Sequence, residues 1–595
     1  MKNRRLSLAL AAIMILSLGS ACRQSQPRAT VTRQTAPEVP PSDSPTPPRP
    51  TDTPEAAATE PHVSPTVVEP TALPAYDPLP LPTERGELFA GSGACASCHT
   101  GMVDEAGTDV SIDTNWRAAI MANAARDPYW QAAVRSETLD LPDLRAVIED
   151  KCATCHTPMA HFTAMSKGLE TDVLDDGFLH REHALHSLAI DGVSCTLCHQ
   201  IEEAGLGTPG SFSGGFSIDV ERPVGERLIY GPFPAAEGPA SVMQDVSGYL
   251  PVQGPQSTQS ELCATCHTLY TPYVDAEGKV AGEFPEQVPY LEWQHSDYAQ
   301  TQVCQDCHMP PAQGGVRLAS VGGGPPRSPF AQHLFIGGNT YVLNLLRTFG
   351  KERAVTASSE DFQRKIDQTL EQLQARTATV TVEEAQVADS RLTMVVAIES
   401  QVGHKLPTGF PARRVWLHVT VKDAADSVIF ESGAVNPDGS IVGNENDSDP
   451  AANEAHYEEI VSPDQVQIYE AILENVEGGI TTGLLEAKGY RKDNRLLPKG
   501  FDKGTANDDI GVYGGAATDD DFEGGGDRIR YAIDLTGAQE PLTVVLELLY
   551  QSIGTRWAEN LRQHDAPEIA NFLSSYEAVP NEPVVVARTA VNVEP

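Results

Sequence analysis

Five times between residues 95 and 308 the chain places two cysteines three positions apart and follows the second at once with a histidine. The sets are Cys95, Cys98 and His99; Cys152, Cys155 and His156; Cys195, Cys198 and His199; Cys263, Cys266 and His267; and Cys304, Cys307 and His308. Cys-x-x-Cys-His is the attachment pattern of c-type haem. The thiols add across the two vinyl groups of the porphyrin, and the imidazole of the next residue takes the iron from the near face. One such unit alone also fits a zinc knuckle or a redox dithiol. For the whole set the competing reading is disulfides or zinc sites, each followed by a histidine by accident. The chain has 11 cysteines; the motifs use ten and leave only Cys22. The repetition favours five covalent haem c groups, with the ten cysteines as attachment points and the five histidines as proximal ligands.

The sixth position on each iron decides what that iron does. A second strong ligand makes an electron-transfer centre, and an open position makes one that binds and transforms a substrate. Outside the motifs the same stretch offers His161, His180, His183, His186, His295 and His333, besides several methionines. A lone histidine is more often a surface or core residue than a ligand, but six of them among five irons shift that balance. His333 is the leading distal candidate. It follows the last motif after a Gly/Pro-rich excursion, has Phe330, Phe335 and Ile336 around it to cover a haem face, and precedes Gly337-Gly338, which permits close backbone approach. His186, shortly before Cys195, and His161, shortly after His156, are the next candidates.

These residues must be held by elements that are hard to read locally, because macrocycles replace much of the side-chain core on which periodicity rules depend. Short helices are predicted at Asn115–Ala125, Tyr129–Ser136 and near each motif, with loops at Gly207–Gly215 and Gly314–Pro326. Tyr341, Leu345 and Phe349 repeat at helical spacing. Phe362, Ile366, Leu370 and Leu373 do so more clearly, behind a Ser358/Asp361 cap. After Ala375 the texture changes to alternating or Val/Ile/Leu/Thr-rich runs separated by Gly, Asn and Asp: Thr377–Val387, Arg391–Ser400, Val415–Lys422, Ser427–Glu431, Val466–Leu473, Arg528–Leu535 and Leu542–Tyr550. Helical pieces near Arg556–Arg562 and Pro567–Tyr576 interrupt them, and Pro583–Val593 reads as a late edge strand. The expected fold class is α+β multidomain: a mainly α, irregular multihaem cytochrome c domain (86–350), a linking helix (351–375) and an antiparallel, Ig-like β-sandwich (376–595).

The N-terminus has a charged start (Lys2, Arg4, Arg5) and an apolar run, Leu6–Leu18, too short for a typical spanning helix. Leu18-Gly19-Ser20-Ala21-Cys22 resembles a bacterial lipoprotein cleavage box, with Gly19 where leucine is usual; ordinary signal cleavage is the alternative. The expected organisation is a lipoprotein-type signal ending at Cys22 (1–22), with Cys22 lipidated, and a disordered Pro/Thr-rich tether (23–85). The protein is then exported and lipid-anchored at the outer face of the cytoplasmic or outer membrane, or at the cell surface. A formal net charge of -40, from 42 basic and 82 acidic residues, argues against a nucleic-acid partner. Other redox proteins or extracellular electron acceptors are the expected partners. Two acidic loops, 444–449 and 519–521, carry oxygen ligands suited to calcium, against the plainer reading of solvated loops.

Several segments carry a family resemblance. Trp116-x-x-Ala119-x-Met121 is similar to the Trp-x-x-Ser-x-His element of cytochrome c-554 and of larger multihaem cytochromes. A second copy, Trp293-x-x-Ser296-x-Tyr298, precedes Cys304. The resemblance implies a distal ligand at the last position of each copy. Met121 stands there in the first, with a core methionine as the competing reading, and Tyr298 in the second, where His295 or another residue would have to serve. Asp191–Cys195, Glu261–Thr268 and Cys304–Pro310 also look like this group. Gly403-His404-Lys405-Leu406-Pro407-Thr408-Gly409-Phe410-Pro411 with Arg413-Arg414 is similar to a segment of multihaem proteins that carry a C-terminal sandwich. From its place in a Gly/Pro loop, His404 is expected to reach a haem across the domain interface, or else to hydrogen-bond backbone. Arg413 and Arg414 are expected to pair with haem propionates or with local acids. The metal-ligand set is thus the five motif histidines with Met121, His161, His186, His333 and His404. The leading functional reading is an electron carrier. The alternatives are an oxidoreductase acting on nitrite or hydroxylamine, which lacks here the Cys-x-x-Cys-Lys of pentahaem nitrite reductases, and a haem-filament or docking module.

Overall fold

A computed structural model of the chain describes residues 73–594; the signal sequence, Cys22 and most of the expected tether lie outside them. Within the expected tether (23–85), residues 73–85 pack against the folded part of the chain. Tyr76 lodges against Gly350 and donates its hydroxyl to Ala357 O (3.3 Å), and Leu79 N donates to Val355 O (2.9 Å). One aromatic and one leucine suffice to pin a stretch whose composition reads as disordered. Among the described residues no helix is long and apolar enough to cross a membrane.

The helical region is built from short pieces. Ile112–Arg117 and a 3₁₀ turn, Met121–Arg126, replace the single helix expected at 115–125. Pro128–Asp140 starts where Pro128 sets the first turn and the Asp127 carboxylate accepts from the Tyr129 and Trp130 amides. Each motif lies in or beside a helix: Gly93–Ala96, Arg145–His156, Cys195–Cys198, Ser260–Ala264 and Cys304–His308. Four strands here escaped the periodicity reading: β1 (Arg227–Gly231) pairs in parallel with β2 (Tyr249–Gln253), and β3 (Leu269–Val274) forms a hairpin with β4 (Val280–Gln287). Ser359–Arg376 is a long helix with a Ser358/Asp361 capping box, burying Phe362, Ile366 and Leu373.

Two sheets follow. One runs β5 (Ala378–Ala388), β6 (Arg391–Ser400), β13 (Gly526–Asp534) and the two-residue β9 (Glu459–Ile460). The other runs β11 (Ile480–Thr481), β10 (Ile468–Asn475), β7 (Arg414–Lys422), β14 (Leu542–Gln551) and β15 (Val584–Val593), with β12 (Ala487–Asp493) on β10 and β8 (Val428–Ser432) on β7. All pairings are antiparallel except β9 with β13. Leu392, Met394, Val396 and Ile398 of β6 and Ile529, Tyr531 and Ile533 of β13 meet Leu417, Val419 and Val421 of β7 and Val544, Leu546 and Leu548 of β14 in one core. That is a face-to-face sandwich formed by period-two side chains. The C-terminal helix Pro567–Ala578 packs on Pro128–Asp140, with Arg135 bridging Glu568 (2.9 Å) and Asp175 (2.7 Å). It joins the core of the helical region, and the described residues form one compact unit.

Candidate functional site

All ten motif cysteines and all five motif histidines line one mainly apolar cavity of about 1320 Å³. Ordinary ligand pockets hold roughly 300–1,000 Å³. None of the ten cysteines is in a disulfide. A zinc site needs converging ligands, and among the described residues no motif gathers three ligand atoms closely enough; only His456, Asp519 and Asp527 do so. That trio is closed. The Gln467 and Asn494 amides both donate to His456 Nδ1 (2.8 and 3.1 Å), which leaves Nε2–H to donate to Asp519 (3.0 Å). A metal on Nε2 would require a proton on Nδ1, where two donors already point.

Main-chain carbonyls orient four of the five motif imidazoles. His99 Nδ1 donates to Leu318 O (2.7 Å), His156 to Ala124 O (3.1 Å), His199 to Tyr230 O (2.5 Å) and His308 to Ile336 O. A carbonyl accepts only, so Nδ1 carries the proton and Nε2 keeps its lone pair, the tautomer a metal-bound imidazole needs. Burial pushes His156 and His267 down to about 4, which keeps both neutral. His156 also stacks flat on Trp130, centroids 4.4 Å apart.

Two of these imidazoles face a second one. The rings of His199 and His333 have centroids 6.1 Å apart and planes 23° apart; those of His308 and His404 are at 6.3 Å and 19°. An iron between two axial imidazoles puts their centroids roughly 6 Å apart, from metal–nitrogen bonds of about 2 Å plus the ring radii. His333 and His404 both line the cavity, and His404 Nδ1 donates to Lys405 O (2.9 Å), freeing its Nε2. Met121 lines the cavity as well. His161 and His186 do not. His161 Nε2, the nitrogen a ligand would use, is bound to Asp150 (2.9 Å) and lies 3.3 Å from Thr154 Oγ1, because the two helices flanking Thr157 bring Asp150 opposite it. His186 Nδ1 donates to Phe178 O (3.0 Å). His295 Nε2 donates to Asp502 O (3.0 Å), away from the cavity. Arg413 lines the cavity, whereas Arg414 turns to Asp447 (2.7 Å) and Gln551. The acidic loops are tied up in the same way, Asp447 by Arg414 and Asp519 by His456.

Contacts between motifs give their spatial order. The Cys95 thiol lies beside that of Cys195, Cys155 beside Cys266, and Cys263 beside Cys304. Cys198 also lies near Cys263 and Cys266. The motif at Cys263–His267 therefore adjoins those at 152–156, 195–199 and 304–308, and the motif at 95–99 adjoins that at 195–199.

Five basic side chains reach the lining: Lys151, Arg327, Lys365, Arg376 and Arg413. Of these, Lys365 carried no sequence signal. It sits on the inner face of a helix whose spacing reads as apolar. Its ammonium donates to Leu334 O (2.6 Å), next to His333, and burial lowers it to about 7. Among the described residues no carboxylate is paired with it, and the acid group of a haem would fit there.

No protein-family model and no curated protein matches the chain. Among solved structures it is similar to a penta-heme cytochrome c552 from Thermochromatium tepidum, at 16% identity over 86% of this chain and 100% of that chain, with a TM-score of 0.47.

Proposed function

We propose that this chain is a pentahaem c-type cytochrome that carries electrons between closely spaced haems. The observation that carries the reading is the convergence of ten thiols and five imidazoles, four of them oriented by main-chain carbonyls, on one apolar cavity, two of the five faced by a second imidazole at iron-spanning distance. The haems supply one-electron chemistry. The chain attaches them, sets their spacing, keeps the ligating imidazoles neutral and excludes water. The inter-motif contacts support an order of attachment sites that departs from the chain: the motif at 95–99 beside that at 195–199, and the motif at 263–267 beside those at 195–199, 304–308 and 152–156, so haems held there would be ordered for transfer in that way. Protein matured with a haem-attachment system is expected to show five covalent haems by intact mass, and three or fewer would overturn the reading.

We place the carrier outside the cytoplasm, tethered through a lipid on Cys22 and exchanging electrons with other redox proteins or an extracellular acceptor. The support is the N-terminal sequence and the commitment of every other cysteine to a motif. Cys22→Ser is expected to release the protein from membranes with its haem spectrum unchanged, whereas unchanged retention would point to a different anchor.

One observation favours a second reading, an oxidoreductase acting on nitrite or hydroxylamine. Among the described residues, His99, His156 and His267 have no second imidazole at iron-spanning distance. A high-spin ferric signal in the unmodified protein that shifts on adding nitrite or hydroxylamine would select it.

A further inference from the structure

His404 belongs to the β region, yet its ring faces that of His308 in the helical region, so something must hold the loop in register across the boundary. The loop 401–408 is gripped at four points by a single segment, the helix Pro289–Gln294 with the 3₁₀ turn Asp297–Gln300. Tyr298 donates its hydroxyl to Gln401 O (2.9 Å), and Ser296 donates to Gly403 O (3.2 Å). The Glu292 carboxylate accepts from Lys405 N (3.1 Å) and from the Thr408 hydroxyl. At Gly403 a Cβ would stand 3.2 Å from the Tyr298 side chain and 3.4 Å from Trp293, so the backbone passes close against both.

The grip is anchored from beneath. Glu292 is fully buried and pairs with Arg495 (3.0 Å), which pairs with Asp493 (2.7 Å). Asp493 in turn holds the fully buried Lys405 ammonium (2.7 Å), which also donates to Gly511 O (2.7 Å). Two cations and two anions thus close a neutral network around the residue next to His404. A buried network of this kind gives little net stability over apolar packing, but it tolerates one geometry. It is therefore suited to fixing a register.

We propose that Glu292, Ser296 and Tyr298 are positioning residues for His404: they form a socket that keys the β region onto the helical region and delivers the sixth ligand to the iron on His308. The β-sandwich is then a ligand-donating part of the cytochrome. This rests on the reading of His308 and His404 as an axial pair.

The test compares the holoprotein with three variants: His404→Ala, Glu292→Gln and the double variant Ser296→Ala/Tyr298→Phe. His404→Ala is expected to gain a high-spin ferric haem and reduced-state carbon monoxide binding, both reversed by added imidazole. Glu292→Gln and the double variant are expected to show the same new signals at partial occupancy while keeping five haems, again reversed by imidazole, with Glu292→Asp closer to wild type. A purely structural role predicts lower melting temperatures and no gain of high-spin iron below the melt; that result would overturn the inference. The double variant removes no buried charge, so it keeps the test decisive if Glu292→Gln fails to fold. If His404→Ala itself shows no change, the axial-pair reading is what fails.

Discussion

Removing the haem site at the junction, by Cys263→Ala, Cys266→Ala and His267→Ala together, is expected to split the protein's redox behaviour into separate groups. This motif lies beside three others, so the haem it holds would link the pair at His99 and His199 to those at His156 and His308. The variant should carry four haems by intact mass. After a reducing pulse, haems on the two sides of the gap should equilibrate in separate kinetic phases where wild type shows one. The matching deletion of the site at Cys152, Cys155 and His156 removes a side branch, and it should leave transfer along the remaining path intact. Both deletions empty part of an apolar cavity and lower stability, so the contrast between them carries the argument. Equal kinetics in the two variants would refute the branched order.

His333→Ala is expected to raise the high-spin fraction of the iron by about one-fifth over wild type, since one haem in five loses a ligand, and to add carbon monoxide binding in the reduced state. The geometry behind this goes beyond the 6.1 Å spacing to His199. Lys365 pins Leu334 O on one side of the loop. Ile336 and His308 exchange two hydrogen bonds on the other, with Ile336 N donating to His308 O (3.0 Å) and His308 Nδ1 donating to Ile336 O. Between them Phe335 sits at φ 47°, a left-handed conformation that a bulky residue adopts only when its surroundings demand it. The segment that would serve the iron at His199 thereby also orients the imidazole at His308, so a modest shift in the potential of that second haem should accompany the loss of the first ligand. A variant that stays wholly at the wild-type spin state with unchanged potentials would remove His333 from the ligand set.

The sequence by itself determined the five repeated motifs and the two fold textures. Cys-x-x-Cys-His is a local unit, so five copies are legible without any tertiary information. Alternation in Arg391–Ser400 and Leu542–Gln551 is equally local, and it marks strands because side chains on a pleated strand point to opposite faces. The capped helix from Ser359 follows from the same kind of short-range rule. Between the motifs that rule weakened: β1–β4 escape it because consecutive residues of these strands, such as Ile229 and Tyr230 or Glu286 and Gln287, line the cavity and break the alternation.

Tertiary structure alone decided which candidate ligands reach the cavity. His161 and His333 are the same residue type, and His161 stands nearer to a motif, but Asp150 takes the nitrogen of the first while the second is aimed at His199. The carbonyls of Leu318, Ala124, Tyr230 and Ile336 that orient the motif imidazoles leave no trace in sequence, because every residue has a carbonyl and only the fold chooses which one faces a ring. The order of the haem sites is hidden for the same reason. Thiols distant in the chain, such as Cys95 and Cys195, lie side by side, and such contacts are set by how the helices pack, which no spacing along the chain records.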